Sequence, residues 1–332
     1  MKRNWQYYKR LAALYRSYRR RDGIVPAPPL RLWVEISSRC NLRCVVCPNK
    51  DLPPGQRGDM EWPLFRSIID QARTFALELN LHHRGESLLH PEAGRFIRAA
   101  TASGIPCRLH TNATLLRGPV VDDILDSGLE RLSISMDGFS AAAYEKIRCG
   151  ASFDQVMANI AGFLRRRGEL NRSQPRMTIE VMDLPAAGDR SGQREFSTRL
   201  KKLGLDELAF KQPHNWAGYL DPPPGAKPPC GPTASFPFPA CTFPWNALVV
   251  FFNGDVGPCA QDFFAQRILG RSDAGTLLEI WNGPPMQELR RAFAAGKAAA
   301  SPPCSTCDRL RRRTLGGVPA EYLKKLLFRR LN

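Results

Sequence analysis

Cysteine spacing is the feature of this sequence that most directly indicates chemistry. Three cysteines, Cys40, Cys44 and Cys47, form the pattern C-x3-C-x2-C. At about 3% cysteine, this pattern arises by chance in roughly one chain of such length in a hundred. Bunched thiols in a chain of 332 residues with no apolar signal segment indicate a metal or redox centre instead of a disulfide framework. These three residues are therefore predicted metal ligands.

Four further cysteines near the C-terminus form a second predicted centre, and they are Cys241, Cys259, Cys304 and Cys307. Asn253-Gly254 predicts a tight hairpin between the first two. Four thiolates suffice to ligate every iron of a 4Fe-4S cluster. Zinc remains an alternative at both centres, because thiolates suit either metal and His82 or His83 could complete the first set.

Strands and helices alternate along the part of the chain that must position these groups. Predicted strands cover residues 32–36, 76–81, 106–110, 131–136, 176–182 and 207–211, and predicted helices cover 63–75, 91–102, 119–126, 141–147, 153–166 and 193–203. Six β/α units of this kind predict an α/β fold, a partial (β/α)6 barrel similar to a TIM barrel. A single helix is predicted over residues 277–293.

Polar residues stand where the predicted barrel strands end, and these positions are Cys40, Glu86, Asn112, Asp137, Asp183 and His214. In barrels of this type the loops at the C-terminal ends of the strands carry the functional groups, because they vary without disturbing the packed interior. We therefore expect the site at this end of the sheet.

The segment from Ile36 to Pro48 resembles the signature of the radical S-adenosylmethionine (radical SAM) superfamily. In that family three thiolates hold three irons of a 4Fe-4S cluster, and the fourth iron binds S-adenosylmethionine, which is cleaved to a 5′-deoxyadenosyl radical. The C-terminal cysteines resemble the twitch module, a shortened SPASM extension. The resemblance implies S-adenosylmethionine, two 4Fe-4S clusters and a small C-terminal α+β iron-sulfur domain.

The resemblance also implies cofactor contacts. Residues 84–87, Arg-Gly-Glu-Ser, stand where the family usually has Gly-Gly-Glu-Pro, so the resemblance implies that Gly85 and Glu86 hold the methionyl amino group. The segment at residues 133–138 resembles the strand end that approaches the ribose and carboxylate. The implied cofactor-binding residues are Gly85, Glu86, Asn112, Ser133, Ser135 and Asp137.

The function expected from the resemblance is oxidation of a carbohydrate or cyclitol alcohol, with the C-terminal cluster as electron acceptor. An epimerase is an alternative, for which Cys149 or Cys230 could return a hydrogen atom, and Glu180 and His214 are further catalytic candidates that could bind substrate. A peptide maturase is another alternative, although only 39 residues precede the first cysteine. A zinc-stabilised nucleic-acid-binding protein is the alternative of another class. Cys107 is expected to be a core residue.

The net charge of +17 is concentrated in the tails, because residues 1–21 contain eight bases and no acid. An N-terminal helix is predicted with the residues Trp5, Tyr8, Leu11, Ala12, Leu14, Tyr15 and Tyr18 on one side and most bases on the other. We favour a helix packed on the barrel over one lying on an anionic membrane, and nucleic acid is not an expected partner. We also expect a flavodoxin or ferredoxin-type reductant and a cytoplasmic location. Peripheral contact with a membrane remains an open alternative.

The expected domains are a basic N-terminal helix, the barrel, a proline-rich linker, the cluster domain and a basic C-terminal helix, with bounds at residues 1–30, 31–220, 221–240, 241–310 and 311–332. The longest apolar run, residues 247–252, is far shorter than the roughly 20 residues that cross a bilayer.

Overall fold

The structure is a computed structural model. It describes residues 5–182, 192–211, 213–220, 241–300 and 302–311, together with the backbone of residues 314–315 and 318–319. The chain divides into two compact units. The described residues within Arg31–Pro213 and Val249–Asp255 form the first unit, and those within Arg3–Leu30, His214–Leu248 and Val256–Asn332 form the second.

The described helices are α1 (Trp5–Arg20), α2 (Trp62–Ala72), α3 (Ala93–Ala102), α4 (Pro119–Asp126), α5 (Ala141–Ile147), α6 (Phe153–Glu169), α7 (Gln193–Lys202), α8 (Leu277–Trp281) and α9 (Pro284–Ala294). The described strands are β1 (Arg31–Val34), β2 (Glu78–Asn80), β3 (Cys107–Thr111), β4 (Arg131–Ser135), β5 (Arg176–Met182), β6 (Glu207–Lys211), β7 (Ala247–Val250), β8 (Asp255–Gly257), β9 (Gly270–Arg271), β10 (Thr314–Leu315) and β11 (Val318–Pro319).

The first unit is a β/α sheet whose strands β1 to β6 lie side by side in sequence order, and every neighbouring pair among them is parallel. Helices α2 to α7 connect them, as the alternating pattern predicts. The expected partial β/α barrel is confirmed. Because the strands are parallel, their C-terminal ends meet at one edge, and side chains distant in the sequence become neighbours there.

The alternation of buried and half-buried residues along β3 and β4 indicates which side chains lie on the polar face of the sheet. In β3, Leu109 is fully buried while His110 is half-buried, and in β4, Ile134 is fully buried between half-buried Ser133 and Ser135. A strand places successive side chains on opposite faces, so the apolar set packs under the helices and the polar set shares the other face. Cys107 is 1% exposed, which confirms it as a core residue.

The second unit has a core around Trp245, Trp281 and the buried Arg290. The guanidinium of Arg290 donates to the carbonyl oxygens of Pro244 (2.8 Å) and Gly23 (3.0 Å) and lies over the ring of Trp281. Burial without a carboxylate among these contacts lowers the pKa of Arg290 to about 9.

Two predictions about helices are wrong. The single helix predicted over residues 277–293 is two helices, α8 and α9, because Gly283 and Pro284 interrupt it and proline cannot donate the hydrogen bond that continues α8. In α1 the aromatic residues do not share a side: Tyr18 is 1% exposed and meets Trp245, whereas Trp5 is 80% exposed and lies on the outer face with the bases.

Other expectations fall partly outside the described residues. The proline-rich segment 221–240 lies outside them, as does most of the C-terminal helix predicted over 311–332. Four residues described inside that helix pair as the short antiparallel strands β10 and β11. Among the described residues, the structure contains no helix with the length and apolar character of a membrane span.

Candidate functional site: two cysteine centres

The three-cysteine loop, residues 40–47, follows the end of β1 and is fixed by hydrogen bonds at its entry. The Ser38 hydroxyl accepts from the Gly58 amide at 2.8 Å, and the Ser37 hydroxyl donates to Asp59 at 2.7 Å. The Asn49 side-chain amide donates to the carbonyls of Ser38 and Arg84. These contacts hold both ends of the loop in one conformation without using its thiols.

The thiols of this loop lie close enough to interact electrostatically. Burial is the largest cause that raises the pKa of Cys40, to about 12, and the charges of Glu86, Cys47 and Cys44 raise it further. Burial also raises the pKa of Cys47 to about 11 and that of Cys44. Burial of three neighbouring thiolates would be costly unless cations bind them. The donor set therefore fits an iron-sulfur cluster.

The four-cysteine centre lies in the second unit and has the same electrostatic character. Burial raises the pKa of Cys241 and of Cys304 to about 12, and it raises that of Cys259. Each of these pKa values is raised further by the charge of Cys307, so the four thiols are neighbours. The four cysteines that the sequence predicts as one centre therefore lie together, although they are far apart in the chain.

A buried aspartate holds the loop after Cys259. Asp262 is fully buried, and its two carboxylate oxygens accept from the amides of Gln266 and Arg267, each at 2.8 Å. At the other end of the set, the Cys307 amide donates to the Cys304 carbonyl at 3.3 Å. The thiols of this centre are thus held on separately anchored turns.

Thiolate ligands suit either zinc or an iron-sulfur cluster. Zinc draws its thiolates to about 2.3 Å from one point, whereas an iron-sulfur cluster spreads them over several irons. Among the residues that the structure describes, no three His, Cys, Asp or Glu side chains form a preformed site for one metal ion.

Gly85 and Glu86 pack directly on the three-cysteine loop. A Cβ atom at Gly85 would lie 2.4 Å from the Arg39 carbonyl oxygen and 2.5 Å from that of Ser37, so only glycine fits. The Glu86 amide donates to the same Arg39 carbonyl at 2.8 Å. The Glu86 carboxylate accepts from the Asn112 amide at 2.7 Å and from the Thr111 hydroxyl at 2.8 Å.

Asn112 connects this carboxylate with the cysteine loop, because its side-chain amide donates to Asn41 at 2.9 Å. Burial raises the pKa of Glu86, although the hydrogen bonds from Asn112, Leu88 and Thr111 oppose the rise. A carboxylate ordered by backbone and hydroxyl donors beside the loop is suited to hold an ammonium group.

Ser133, Ser135 and Asp137 lie along and just beyond β4, but they differ in surroundings. Ser135 contacts His110, and Ser133 is half-buried. Asp137 is fully buried: one carboxylate oxygen accepts from the Met182 amide at 2.9 Å, and the other pairs with Arg148 at 2.5 Å. In this structure Asp137 therefore positions Arg148.

Arg148 is a functional candidate that sequence reasoning missed. Its guanidinium is buried, and Nη1 approaches the Cys44 thiol at 3.8 Å. The carbonyls of Ile147 and Cys149 accept from the amides of Val45 and Arg43, each at 3.0 Å. The charge of Asp137 raises the pKa of Arg148 despite burial. The signal available in the sequence was its place directly before Cys149.

Arg84, which occupies the place of a glycine in the family pattern, forms a buried ion pair with Glu35. Its Nη2 lies 2.7 Å from Glu35, and its guanidinium also contacts Gln56 and the ring of Phe251. Burial opposes ionisation of Glu35, but the Arg84 charge dominates and lowers the pKa of that carboxyl to about 2. The side chain thus stabilises the end of β1 instead of entering the site.

The described catalytic candidates have separate surroundings. Glu180 lies on β5, forms an ion pair with Lys211 and lies 3.8 Å from His110 Nδ1. Cys149 contacts the Lys146 carbonyl and pairs with the cysteine loop through its backbone. His214 lies three residues beyond β6, in the second unit, with its ring on Trp216. Cys230 and the strand-end residue Asp183 lie outside the described residues.

Comparison with known proteins is consistent with both centres. Residues 34–169 match the radical SAM superfamily, and residues 241–308 match an iron-sulfur cluster-binding domain named SPASM. An AdoMet-dependent heme synthase of Methanosarcina barkeri is 30% identical over 135 residues, which is 40% of this chain and 38% of that protein. The chain thus spans well under two thirds of that relative.

Two further relatives align over more of the chain. The S-adenosyl-L-methionine-dependent 2-deoxy-scyllo-inosamine dehydrogenase of Niallia circulans is 23% identical over 279 residues, which is 83% of this chain and 91% of that protein. The crystal structure of Streptococcus suis SuiB bound to precursor peptide SuiA has a TM-score of 0.64 at 17% identity, and it covers 92% of this chain and 74% of that one. The likeness to SuiB concerns the fold.

The radical SAM domain implies S-adenosylmethionine and a 4Fe-4S cluster, and the SPASM domain implies further iron-sulfur binding. The thiol sets described above fit these groups. The chain belongs to the radical SAM superfamily and has a SPASM-type iron-sulfur domain at its C-terminal side.

Proposed function

We propose that this protein is a radical SAM oxidoreductase that abstracts a hydrogen atom from a carbohydrate or cyclitol alcohol and passes an electron to an auxiliary 4Fe-4S cluster. The observation that carries the proposal is the pair of unequal thiol sets, three in one unit and four in the other. Similarity to a 2-deoxy-scyllo-inosamine dehydrogenase over 83% of the chain supports the substrate class.

The three-cysteine loop would hold a cluster with one iron left for another ligand. When bound there, S-adenosylmethionine supplies a 5′-deoxyadenosyl radical. We propose that Glu86 holds the methionyl ammonium group, since its carboxylate is already ordered by Asn112 and Thr111. Gly85 keeps Glu86 in contact with the loop, and Ser133 and Ser135 contribute hydroxyls at the end of β4.

Arg148 adds a buried positive charge beside this loop. Because Asp137 orients the guanidinium, it can offset the negative charge that three thiolates bring into a buried site. The four-cysteine centre would ligate every iron of its cluster with protein thiolates. It therefore lacks a position for substrate and suits electron transfer.

A peptide maturase is the second candidate, favoured by the fold shared with SuiB over 92% of the chain. Epimerisation would need a hydrogen-donating thiol, for which Cys149 is the described candidate and Cys230 lies outside the described residues. The matches of residues 34–169 and 241–308 to radical SAM and iron-sulfur cluster-binding models argue against a nucleic-acid-binding zinc protein.

The outer face of α1 supports an anionic partner. It carries Lys9, Arg16 and Arg19 beside the exposed Trp5 and Tyr8, and α1 contains no acid. We propose that this face contacts an acidic flavodoxin or ferredoxin-type reductant in the cytoplasm, and peripheral contact with anionic lipid is the alternative.

The proposed function is tested with anaerobically reconstituted protein. Two clusters require about eight irons per chain, and dithionite with S-adenosylmethionine should yield 5′-deoxyadenosine. Addition of 2-deoxy-scyllo-inosamine should increase that yield and produce a ketone. Cys107→Ala is the matched control, since Cys107 is a buried core thiol outside both centres. Zinc in place of iron, or intact S-adenosylmethionine, would contradict the proposal.

A further inference from the structure

A group of polar side chains at the C-terminal ends of β3 to β6 contains no thiol of either cysteine centre and shares only Ser135 with the proposed cofactor contacts. It consists of His110 on β3, Ser135 on β4, Glu180 on β5, Lys211 on β6, and His82 just after β2, and we name it the His110 cluster. Every member lies in the first unit. Parallel strands that end at one edge bring these residues together although they span 130 positions of the sequence.

The contacts form a chain across the strands. His110 Nε2 lies 2.5 Å from Ser135 Oγ, and His110 Nδ1 lies 3.8 Å from Glu180. The Lys211 ammonium group forms an ion pair with the same carboxylate oxygen of Glu180. The His82 ring meets the His110 ring edge-on at 5.4 Å. An imidazole between a hydroxyl and a carboxylate is arranged to accept a proton through the hydroxyl.

The cluster is accessible although it lies among buried groups. The side chains of His110 and Glu180 are 26% and 16% exposed, and that of Lys211 is 43% exposed. Apolar side chains on the opposite face of the same strands are fully buried, as Leu109 and Ile179 are. The partial exposure therefore marks a face that a ligand can reach.

The charges of the cluster balance internally. Lys211 offsets Glu180, and burial lowers the pKa of both His110 and His82, so the two imidazoles are uncharged near neutral pH. Further charges that act on His110 are those of Arg148 and Asp137, which pair with each other. A balanced set of hydrogen-bonding groups suits neutral hydroxyls and offers no net charge to bind a phosphate.

We propose that the His110 cluster binds the hydroxyl groups of an unphosphorylated polyhydroxylated ring, and that His110 accepts the proton of the reacting hydroxyl through Ser135. This inference rests on the proposed function. Glu180 is then a positioning residue that stabilises the protonated imidazole, and Lys211 holds Glu180 in place through their ion pair. Glu180 was expected from the sequence as a substrate-binding residue, and the geometry assigns it this more specific role.

The step balances in atoms and electrons. The alcohol carbon gives one hydrogen atom to the 5′-deoxyadenosyl group and one electron to the auxiliary iron-sulfur cluster. The hydroxyl proton passes to His110, and the C–O single bond becomes the carbonyl of the ketone. Without a proton acceptor the electron must leave a protonated radical, which is a weaker reductant, so ketone formation should slow.

The test uses holoenzyme with dithionite, S-adenosylmethionine and 2-deoxy-scyllo-inosamine as the probe. His110→Asn and Glu180→Gln should each lower the ketone formed per 5′-deoxyadenosine at least tenfold, because positioned acid-base groups contribute about 10²- to 10⁴-fold. Glu207→Gln is the matched control, since Glu207 lies on β6 but pairs with Arg131. The Glu207→Gln variant should form as much ketone per 5′-deoxyadenosine as the wild-type protein.

Opposite shifts in pH dependence separate this role from a structural one. Ketone formation should rise with pH as His110 becomes neutral. The Glu180 charge raises the pKa of His110 and the Lys211 charge lowers it. Glu180→Gln should therefore move the rise to lower pH, and Lys211→Met should move it to higher pH. The His110 pKa measured by NMR of ¹⁵N-histidine-labelled protein should shift in the same two directions, independently of turnover.

Three results have distinct meanings. Wild-type ketone ratios in His110→Asn and Glu180→Gln, or histidine pKa shifts of one sign only, would overturn the inference. Equal stimulation of 5′-deoxyadenosine formation by myo-inositol phosphate and by unphosphorylated cyclitols would overturn the assignment of the substrate class, as would failure of every cyclitol to stimulate it. Absence of 5′-deoxyadenosine from wild-type protein would instead contradict the proposed function.

Discussion

The two cysteine centres use the same residue type in different ways. The first is a loop of eight residues, with three thiols close in sequence and Gly85 and Glu86 packed on it. The second gathers four thiols across 67 residues, from position 241 to 307, on turns anchored separately. We propose that the short loop leaves one iron of its cluster open beside the Glu86 carboxylate, whereas the second set ligates every iron. On this proposal, one additional thiol separates a chemical centre from an electron-transfer centre.

Removal of one thiol from each centre should give the largest effects and should separate the roles of the two centres. We expect Cys44→Ala to abolish 5′-deoxyadenosine formation, because two thiolates cannot hold a cluster with one available iron. Cys259→Ala should retain that formation and lose the ketone at least tenfold. Product analysis by mass spectrometry distinguishes the two variants. Equal loss of both products in Cys259→Ala, with iron retained at the first centre, would contradict the division of roles.

Substitution of Gly85 should affect the first centre alone. The added methyl group of Gly85→Ala would overlap the Arg39 carbonyl, so the loop must shift. We expect 5′-deoxyadenosine formation to fall more than tenfold while the second cluster remains detectable by electron paramagnetic resonance. Gly55→Ala is the matched control, because no atom lies within 4 Å of its added Cβ. Wild-type formation in Gly85→Ala would show that the close contact is unnecessary.

The Glu35–Arg84 pair should make the stability of the first unit depend on pH. The pKa of Glu35 is about 2 in the folded protein against an ordinary value of 4.5, so its contribution is present above 4.5 and is lost as pH falls toward 2. Glu35→Gln should lower the free energy of unfolding by about 3 kcal/mol at pH 7, because it removes the negative charge that balances the buried Arg84 guanidinium.

Denaturant unfolding at pH 7 and pH 3 measures this contribution. The difference between wild type and Glu35→Gln should shrink at pH 3. The control is Glu92→Gln, which removes an exposed pair with Arg95 and should change the free energy of unfolding by less than about 1 kcal/mol. A pH-independent difference for Glu35→Gln would contradict the argument.

The smallest effect is expected in the second centre. Asp262→Asn keeps one acceptor oxygen but replaces the other with an amide group, which cannot accept from a backbone amide. We expect a loss of about 1–3 kcal/mol in the free energy of unfolding and easier loss of iron from the second cluster. Iron release to a chelator measures the second effect. Unchanged iron release would show that Asp262 only shapes the turn.

Much of the fold and the ligand sets could be predicted because they depend on local patterns. Strand alternation, as in β3 and β4, and the spacing of Cys40, Cys44 and Cys47 are visible within short windows of sequence. The expected barrel end also places Glu86 and Asn112 correctly beside the cysteine loop.

The rest depends on partners far away in the sequence. Arg148 meets Cys44 across 104 residues, and Glu35 meets Arg84 across 49, so neither pairing has a local signal. In α1 the helical wheel could not show that Trp245 covers Tyr18 and not Trp5, since that choice is made by tertiary packing. His110 looked like any polar residue of a strand until Ser135 and Glu180 were placed beside it.

The central claim is that the three-cysteine loop holds a cluster with one iron open to S-adenosylmethionine. The most direct test is electron-nuclear double resonance on reduced Cys259→Ala protein, with S-adenosylmethionine labelled with ¹⁵N at its amino group and ¹⁷O at its carboxylate. The account predicts coupling of both labels to the remaining cluster, and its loss when Cys44 is also replaced by alanine. A reduced cluster that shows no coupling to either label would contradict it.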